Sequence, residues 1–253
     1  MGAGNRPHTG MAVLPPIFTD PTLEAVDRAA EAMAAAEPPR DYLGASVIGD
    51  PCDRKLWYSF TNARRKPFAA ATLRRFEDGH RTEDLVIERL RRVPGVELWT
   101  RQDDGGQIGG KLLDGRFGWH VDGVILGLLQ APKTPHVLEV KCTAEKKFKE
   151  FVVLVERLGE KQALKAWNLV YHAQAVVYME LLDLTRHYTV VASAGGRDMA
   201  SCRTEADPVY ARALLAKAER IVGATAPPAR LSERPEFFAC KWCDFHATCH
   251  QPC

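Results

Sequence analysis

An α/β fold, with a central mixed β-sheet flanked by helices, is predicted by three observations. Segments of helical period and segments of strand period are interleaved along the chain rather than segregated. At 253 residues and 46% hydrophobic content, the chain can bury one large core with at most a small appended module. Four of the seven cysteines, Cys240, Cys243, Cys249 and Cys253, crowd the C-terminal end and set it apart as a Cys-rich clamp.

Taken in order, residues 1–18 mix Gly, Pro and polar residues without period and are expected to form a mobile leader, with Met11 as an alternative start. A helix is expected from Asp20, with Pro21 suited to the first helical position, through an Ala-rich run to Ala36, where Glu37-Pro38-Pro39 ends it. After Ser46, a segment carrying Cys52, Arg54, Leu56, Trp57 and Tyr58 should be helical in part, interrupted by Gly49 and Pro51. Leu73, Phe76, Leu85, Val86 and Leu90 fit a long amphipathic helix from Ala70 to Arg92, broken only at Gly79, with a basic opposite face. Strands are expected at 96–101, at 116–129 as a further strand or hairpin bent by glycines, and at 136–142. Helices should follow at 145–157 and 162–182, strands at 187–193 and 199–204, and a last helix at 208–222. Thr225-Ala226-Pro227-Pro228 reads as a linker. The resulting division is a leader (1–18), an N-terminal helical part carrying Cys52 (19–69), a core (70–224) and a Cys-rich tail (225–253) folded back on the N-terminal part.

The 34 basic and 32 acidic side chains nearly cancel, so a polyanionic partner must be argued from local features. No apolar run approaches the roughly 18 residues of a membrane span, and no apolar signal core opens the chain, so a cytoplasmic protein with no membrane partner is the expectation. The odd cysteine count and the missing secretory signal make disulfides the weaker use of the thiols.

Chemistry concentrates in two short runs. In Trp119-His120-Val121-Asp122-Gly123 a carboxylate sits in a strand-like context, and in Val137-Leu138-Glu139-Val140-Lys141 two charges alternate with apolar residues. Strand period places Glu139 and Lys141 on one face. Carboxylates from neighbouring strands can hold a hard divalent cation through oxygen, with water and a phosphate oxygen completing the shell. The ammonium of Lys141 can stabilise phosphate charge or help acidify the attacking water. The bland alternative is a solvated edge strand, since an isolated E-x-K is a weak signal. The combination is stronger: Asp122 lies upstream of Glu139, and a downstream helix carries Gln174 and Tyr178 at i and i+4.

These residues together resemble the PD-(D/E)xK nuclease superfamily, and within it the RecB-like branch that includes CRISPR-associated adaptation nucleases and AddB-type nuclease domains with an iron-sulfur cluster. The resemblance runs from about Ser46 to Cys249. It implies a restriction-endonuclease-like core and maps catalysis onto Asp122, Glu139 and Lys141, with the Val140 carbonyl also facing the metal. It assigns Gln174 and Tyr178, with Tyr171 one turn before, to orienting the DNA phosphate and the catalytic lysine. Core packing is the competing use of Tyr178. Gly79-His80-Arg81-Thr82-Glu83 fits the family's G-x3-E helix motif, so Glu83 is the expected additional metal ligand, with His80 one turn away as its competitor. Val121 stands where the family's Pro would precede the Asp, which removes no ligand.

Cys240, Cys243 and Cys249 have the spacing C-x2-C-x5-C, a tight set of soft ligands suited to zinc or to iron and sulfur, with Cys52 as a distant fourth. The resemblance implies a 4Fe-4S cluster on Cys52, Cys240, Cys243 and Cys249. A local zinc site completed by Cys253, His250 or His246 is the rival. Either is expected to be structural, clamping the chain ends. Cys142, beside Lys141, is expected to be a buried small residue.

Arg64-Arg65-Lys66, Arg74-Arg75, Arg81, Arg91-Arg92 and Lys146-Lys147-Lys149 could track DNA phosphates, and Trp57, Tyr58 or Trp167 could stack on bases, although most such charges simply solvate helices. The implied activity is a Mg2+- or Mn2+-dependent exonuclease on single-stranded DNA or duplex ends. Recombination, repair, phage replication and CRISPR adaptation are the implied contexts, with a protein partner from one of them. A non-catalytic DNA-binding or assembly module with a structural iron-sulfur or zinc site is the alternative from another class.

Overall fold

A computed structural model describes residues 20–61, 63 and 66–250. The expected leader, Arg64, Arg65 and Cys253 lie outside the described residues. A five-stranded sheet of order β2-β5-β6-β7-β8 carries the fold: β2 (Glu97–Trp99), β5 (Gly123–Leu126), β6 (His136–Thr143), β7 (Arg186–Ser193) and β8 (Met199–Glu205). It is mixed, because β6 and β7 run parallel while β2/β5, β5/β6 and β7/β8 are antiparallel. A smaller sheet of order β1-β4-β3 is formed by β1 (Leu43–Gly44), β3 (Gly109–Leu112) and β4 (Phe117–His120). The α/β class with helices flanking a mixed sheet is therefore as the sequence predicts.

The first two helices start where a side chain caps them. In α1 (Pro21–Ala36) the Asp20 carboxylate accepts from the amides of Thr22 and Leu23, as the expected start requires. Helix α2 (Asp53–Tyr58) starts at Cys52, which caps the Lys55 amide with its sulfur. Helix α3 (Ala70–Arg91) runs without a break through Gly79, contrary to the expected interruption. Nothing lies within 4 Å of where a Gly79 side chain would begin, so the glycine only forgoes about 1 kcal/mol of helix propensity. Packing of Val86 and Ile87 downstream fixes the helix on the sheet regardless.

The run expected as one helix over 162–182 is two, α5 (Glu160–Trp167) and α6 (Leu169–Leu181), following α4 (Glu145–Leu158). Asn168 is the reason: its backbone is extended, and its side chain accepts from the Val170 and Tyr171 amides to start α6 afresh. The 116–129 segment is not a hairpin either, because β4 and β5 pair into different sheets. Strands β1 and β3 have no counterpart in the sequence pattern. They are short, glycine-containing and without alternation.

Three apolar clusters hold the layers. Leu138 and Val140 of β6, with Val190 and Ala192 of β7, pack on Val86 and Ile87 of α3. On the opposite face, Val191 and Cys202 pack with Phe148, Phe151, Leu164 and Ala175 from α4, α5 and α6. The third joins α6 and α7 (Pro208–Gly223) to β4 and to Ile48 and Leu56. Gly49 permits this last contact, since a Cβ there would stand 2.6 Å from the Ala173 Cβ and 2.8 Å from the Val170 Cα.

The C-terminal segment, with α8 (Phe238–Lys241) and α9 (His246–His250), lies against the Cys52 region. Phe245 meets Tyr58 at 5.5 Å between ring centroids, Asp244 accepts from the Lys66 amide at 3.0 Å, and Pro228 accepts from Arg54. No helix among the described residues is long and apolar enough to cross a membrane.

Candidate active site

The site is created where the chain leaves one sheet for the other. Strand β4 ends at His120, β5 begins at Gly123, and Asp122 occupies the bend between them, so it is not a strand residue as expected from its run. Gly123 pairs with Leu138, and beyond that pair the edge of β6 is no longer covered by β5. The Val140 amide, left without a strand partner there, donates to Asp122 Oδ2 at 2.7 Å. A buried backbone donor thus finds its acceptor in a side chain, which anchors Asp122 against β6.

Glu139 and Lys141 point to the α6 side of β6 while Leu138 and Val140 point to α3, as strand period demands. Lys141 donates to Glu139 Oε1, and Gln174 donates to the same oxygen at 2.8 Å and lies 3.1 Å from the Tyr178 hydroxyl. The i, i+4 spacing on α6 therefore brings Gln174 and Tyr178 to the carboxylate pair. Tyr178 is also buried in the core, so its packing and polar uses coexist. The Lys141 ammonium sits 4.6 Å from the centre of the Tyr171 ring.

From the other side, half-buried Glu83 of α3 acts electrostatically on Asp122, Glu139 and Lys141, whereas His80 is exposed and acts on Glu83. Burial, then the charges of Glu139 and Glu83, push the Asp122 carboxyl well above the usual range, against the pull of Lys141 and the Val140 amide. Burial and the charges of Glu139 and Asp84 likewise raise Glu83. Burial opposes the Lys141 charge, but the Glu139 and Asp122 carboxylates outweigh it and hold the ammonium above the ordinary lysine value. Burial and the Glu139 charge raise Tyr178, which stays a neutral phenol.

Three carboxylates thus share one ammonium, and Glu139 Oε2 and Gln174 Oε1 are buried without a hydrogen-bond partner. Oxygen donors with surplus negative charge and an unused buried lone pair fit a hard divalent cation. Among the described residues no three His, Cys, Asp or Glu side chains are gathered as a preformed metal cage. For Val140 the structure defines the amide contact with Asp122.

A second cluster lies at the chain ends. Cys52, Cys240, Cys243 and Cys249 are free thiols lining one cavity of about 330 Å³, together with His246 and His250. Burial raises the Cys240 and Cys243 thiols, and the neighbouring sulfurs raise them further. Four sulfur donors lining one cavity suit a soft or borderline cation, whose binding would have to displace the thiol protons. The Nε2 of His250 is buried there without a partner. Cys142 is half-buried rather than buried, with the Thr82 hydroxyl 3.4 Å from its sulfur.

Most of the basic runs are occupied by acids of their own helices or neighbours: Arg74 by Asp27, Arg81 by Glu77, Arg92 by Glu88, Lys147 by Glu150 and Lys149 by Glu145. Tyr58 is buried, and Trp57 donates to the Ala224 carbonyl at 3.0 Å, so both serve packing. Trp167 alone of the three aromatics stands next to the charged centre, through Tyr171.

No family model matches the sequence, and no curated protein matches it. Solved structures resemble it distantly. SSO0001 is 12% identical over 92% of this chain and 98% of its own, with a TM-score of 0.45. An alkaline exonuclease (LHK-Exo) from Laribacter hongkongensis is 14% identical over 76% and 90%, with a TM-score of 0.48. A phage-related exonuclease from Haemophilus somnus 129PT is 13% identical over 58% and 66%, with a TM-score of 0.38.

Proposed function

We propose that the chain is a Mg2+- or Mn2+-dependent deoxyribonuclease acting as an exonuclease on single-stranded DNA or duplex ends. The observation that carries this reading is the meeting of Asp122, Glu139, Lys141 and Gln174 at the uncovered edge of β6, with Glu139 Oε2 left unpartnered. Asp122 and Glu139, with Glu83 from α3, would hold the cation, and His80 would act only through Glu83. A divalent cation in such a site supplies charge for the scissile phosphate and acidifies water. Lys141 would neutralise a non-bridging phosphate oxygen with its ammonium, since a lysine whose charged form is favoured suits that task better than proton abstraction. Gln174 fixes the Glu139 carboxylate, and Tyr178 supports Gln174.

Cleavage of end-labelled single- and double-stranded DNA under Mg2+ and Mn2+ titration tests the reading. Lys141→Ala is expected to lower the rate by roughly two to three orders of magnitude with the circular dichroism spectrum unchanged. Retained cleavage in that variant would remove Lys141 from the chemistry. Binding without cleavage by the parent at every cation concentration would instead mark a non-catalytic DNA-binding or assembly module.

The meeting of Cys52, Cys240, Cys243 and Cys249 at one cavity supports a 4Fe-4S cluster on these four thiols, which would tie the N-terminal part to the tail, as in the iron-sulfur branch of the RecB-like nucleases. The unpartnered His250 nitrogen at the same cavity favours a zinc site as the second reading. Anaerobically purified protein is expected to be brown, with about four irons and four sulfides per chain. Cys52→Ser should bleach it and lower its Tm by several degrees. A colourless protein with one zinc selects the second reading.

A further inference from the structure

We propose that Trp167 is a positioning residue for the centre, holding the Tyr171 ring against the Lys141 ammonium so that this long side chain keeps one direction during turnover. The inference rests on the nuclease reading. Its physical basis is a closed ring of contacts. Strand β6, which carries Lys141, ends at Thr143, and α4 begins at Glu145. In the first turn of α4 the Lys147 carbonyl accepts from Trp167 Nε1 at 3.2 Å. The Trp167 ring lies 5.6 Å from Tyr171 at 48°, and the Tyr171 ring lies 4.6 Å from the Lys141 Nζ. On its far side Trp167 meets the fully buried Phe151 ring at 5.0 Å.

A lysine side chain is long and freely rotating, and Glu139 restrains its tip only from one side. Tyr171 supplies the second restraint, but it is itself half-buried at the rim of the site. Its ring is held in place by Trp167, which is anchored by a hydrogen bond to α4 and by packing on Phe151. Loss of the tryptophan frees the Tyr171 ring, and the ammonium then samples other rotamers. Misplacement of a charged group by about 1 Å can cost up to a hundredfold in rate without changing substrate affinity.

Two readouts test this. In protein with isotope-labelled lysine, the Lys141 Cε and Nζ resonances are expected to show the upfield ring-current shift of a group over an aromatic face. The shift should persist in Tyr171→Phe and vanish in Tyr171→Leu and Trp167→Leu. In steady-state cleavage, Trp167→Leu is expected to lower kcat about tenfold with KM within twofold, while Trp167→Phe recovers most of the rate. Fluorinated phenylalanines at 171, which weaken the ring quadrupole at nearly constant size, should lower log kcat progressively. An unshifted Lys141 in the parent, an unchanged shift in Trp167→Leu, or a kcat indifferent to Trp167→Leu overturns the proposal. If the parent shows the shift but never cleaves DNA, the nuclease reading has failed, and the positioning role falls with it while the contact stands.

Discussion

Asp122→Asn is expected to abolish cation-dependent DNA cleavage, by roughly three orders of magnitude or more, and at the same time to raise the Tm in cation-free buffer. The two effects have one cause. Burial and the charges of Glu139 and Glu83 raise the Asp122 pKa in the folded protein, so its ionised form is less stable there than in the unfolded chain. The sign follows: above the folded pKa the full cost of that charge is borne by the native state, and it fades as pH falls toward protonation. Asparagine carries no charge and can still accept from the Val140 amide, so the anchor seen at 2.7 Å is kept. Mn2+ should reverse the order, raising the Tm of the parent far more than that of the variant, because only the parent offers the carboxylate. Scanning calorimetry with chelator and with Mn2+, beside a cleavage assay, measures both halves. A variant that cuts like the parent, or that melts earlier than the parent in chelator, would falsify the assignment of Asp122 as a strained metal ligand.

The parts of the site that were legible in the sequence are those governed by a local period. Glu139 and Lys141 alternate with Leu138 and Val140, and a strand must then put both charges on one face. Gln174 and Tyr178 are four apart on a helix and must share a side. The α/β order is legible as well, because long helices are set by a sustained helical period and buried strands by short apolar runs. What local sequence does not reveal depends on contacts across the chain. Asp122 has strand-like neighbours, but its bend is set by β4 and β5 choosing different partners, a tertiary fact with no period. The break at Asn168 was visible in principle, since Asn is a strong cap, yet the apolar residues on both sides continue a helical pattern through it. Gly79 carries the opposite lesson: a helix breaker by propensity is overruled when turns further along the same helix are packed on a sheet. Arg74, Arg81 and Arg92 looked like a phosphate track because charge signs can be read from sequence and ion-pair partners cannot.

The second large effect is expected at a residue outside the chemistry. His187 of β7 is almost completely buried, pairs with Val137 and Thr204 on the flanking strands, and has its Nδ1 3.1 Å from the Thr189 hydroxyl and its Nε2 unpartnered. Burial, then the charges of Lys141, His136 and His172, push its pKa down to about 3. The native protein therefore refuses a proton that the unfolded chain accepts at an ordinary histidine value of about 6.5. Above that pH the group is neutral in both states and costs nothing. As pH falls toward 3 the unfolded state holds the extra proton, and native stability drops by about 1.4 kcal/mol per pH unit from this group alone. Between pH 7 and pH 5 that amounts to about 2 kcal/mol. Asp122 and Glu83, with raised pKa values, act in the opposite sense, so the informative quantity is the difference between the parent and His187→Leu. Leucine fills a similar volume without titrating, and urea unfolding at the two pH values should show the variant losing about 2 kcal/mol less than the parent on acidification. Equal losses in both proteins would mean that His187 takes up its proton in the native state, and that the interior beneath α6 is wetter than the packing around it indicates.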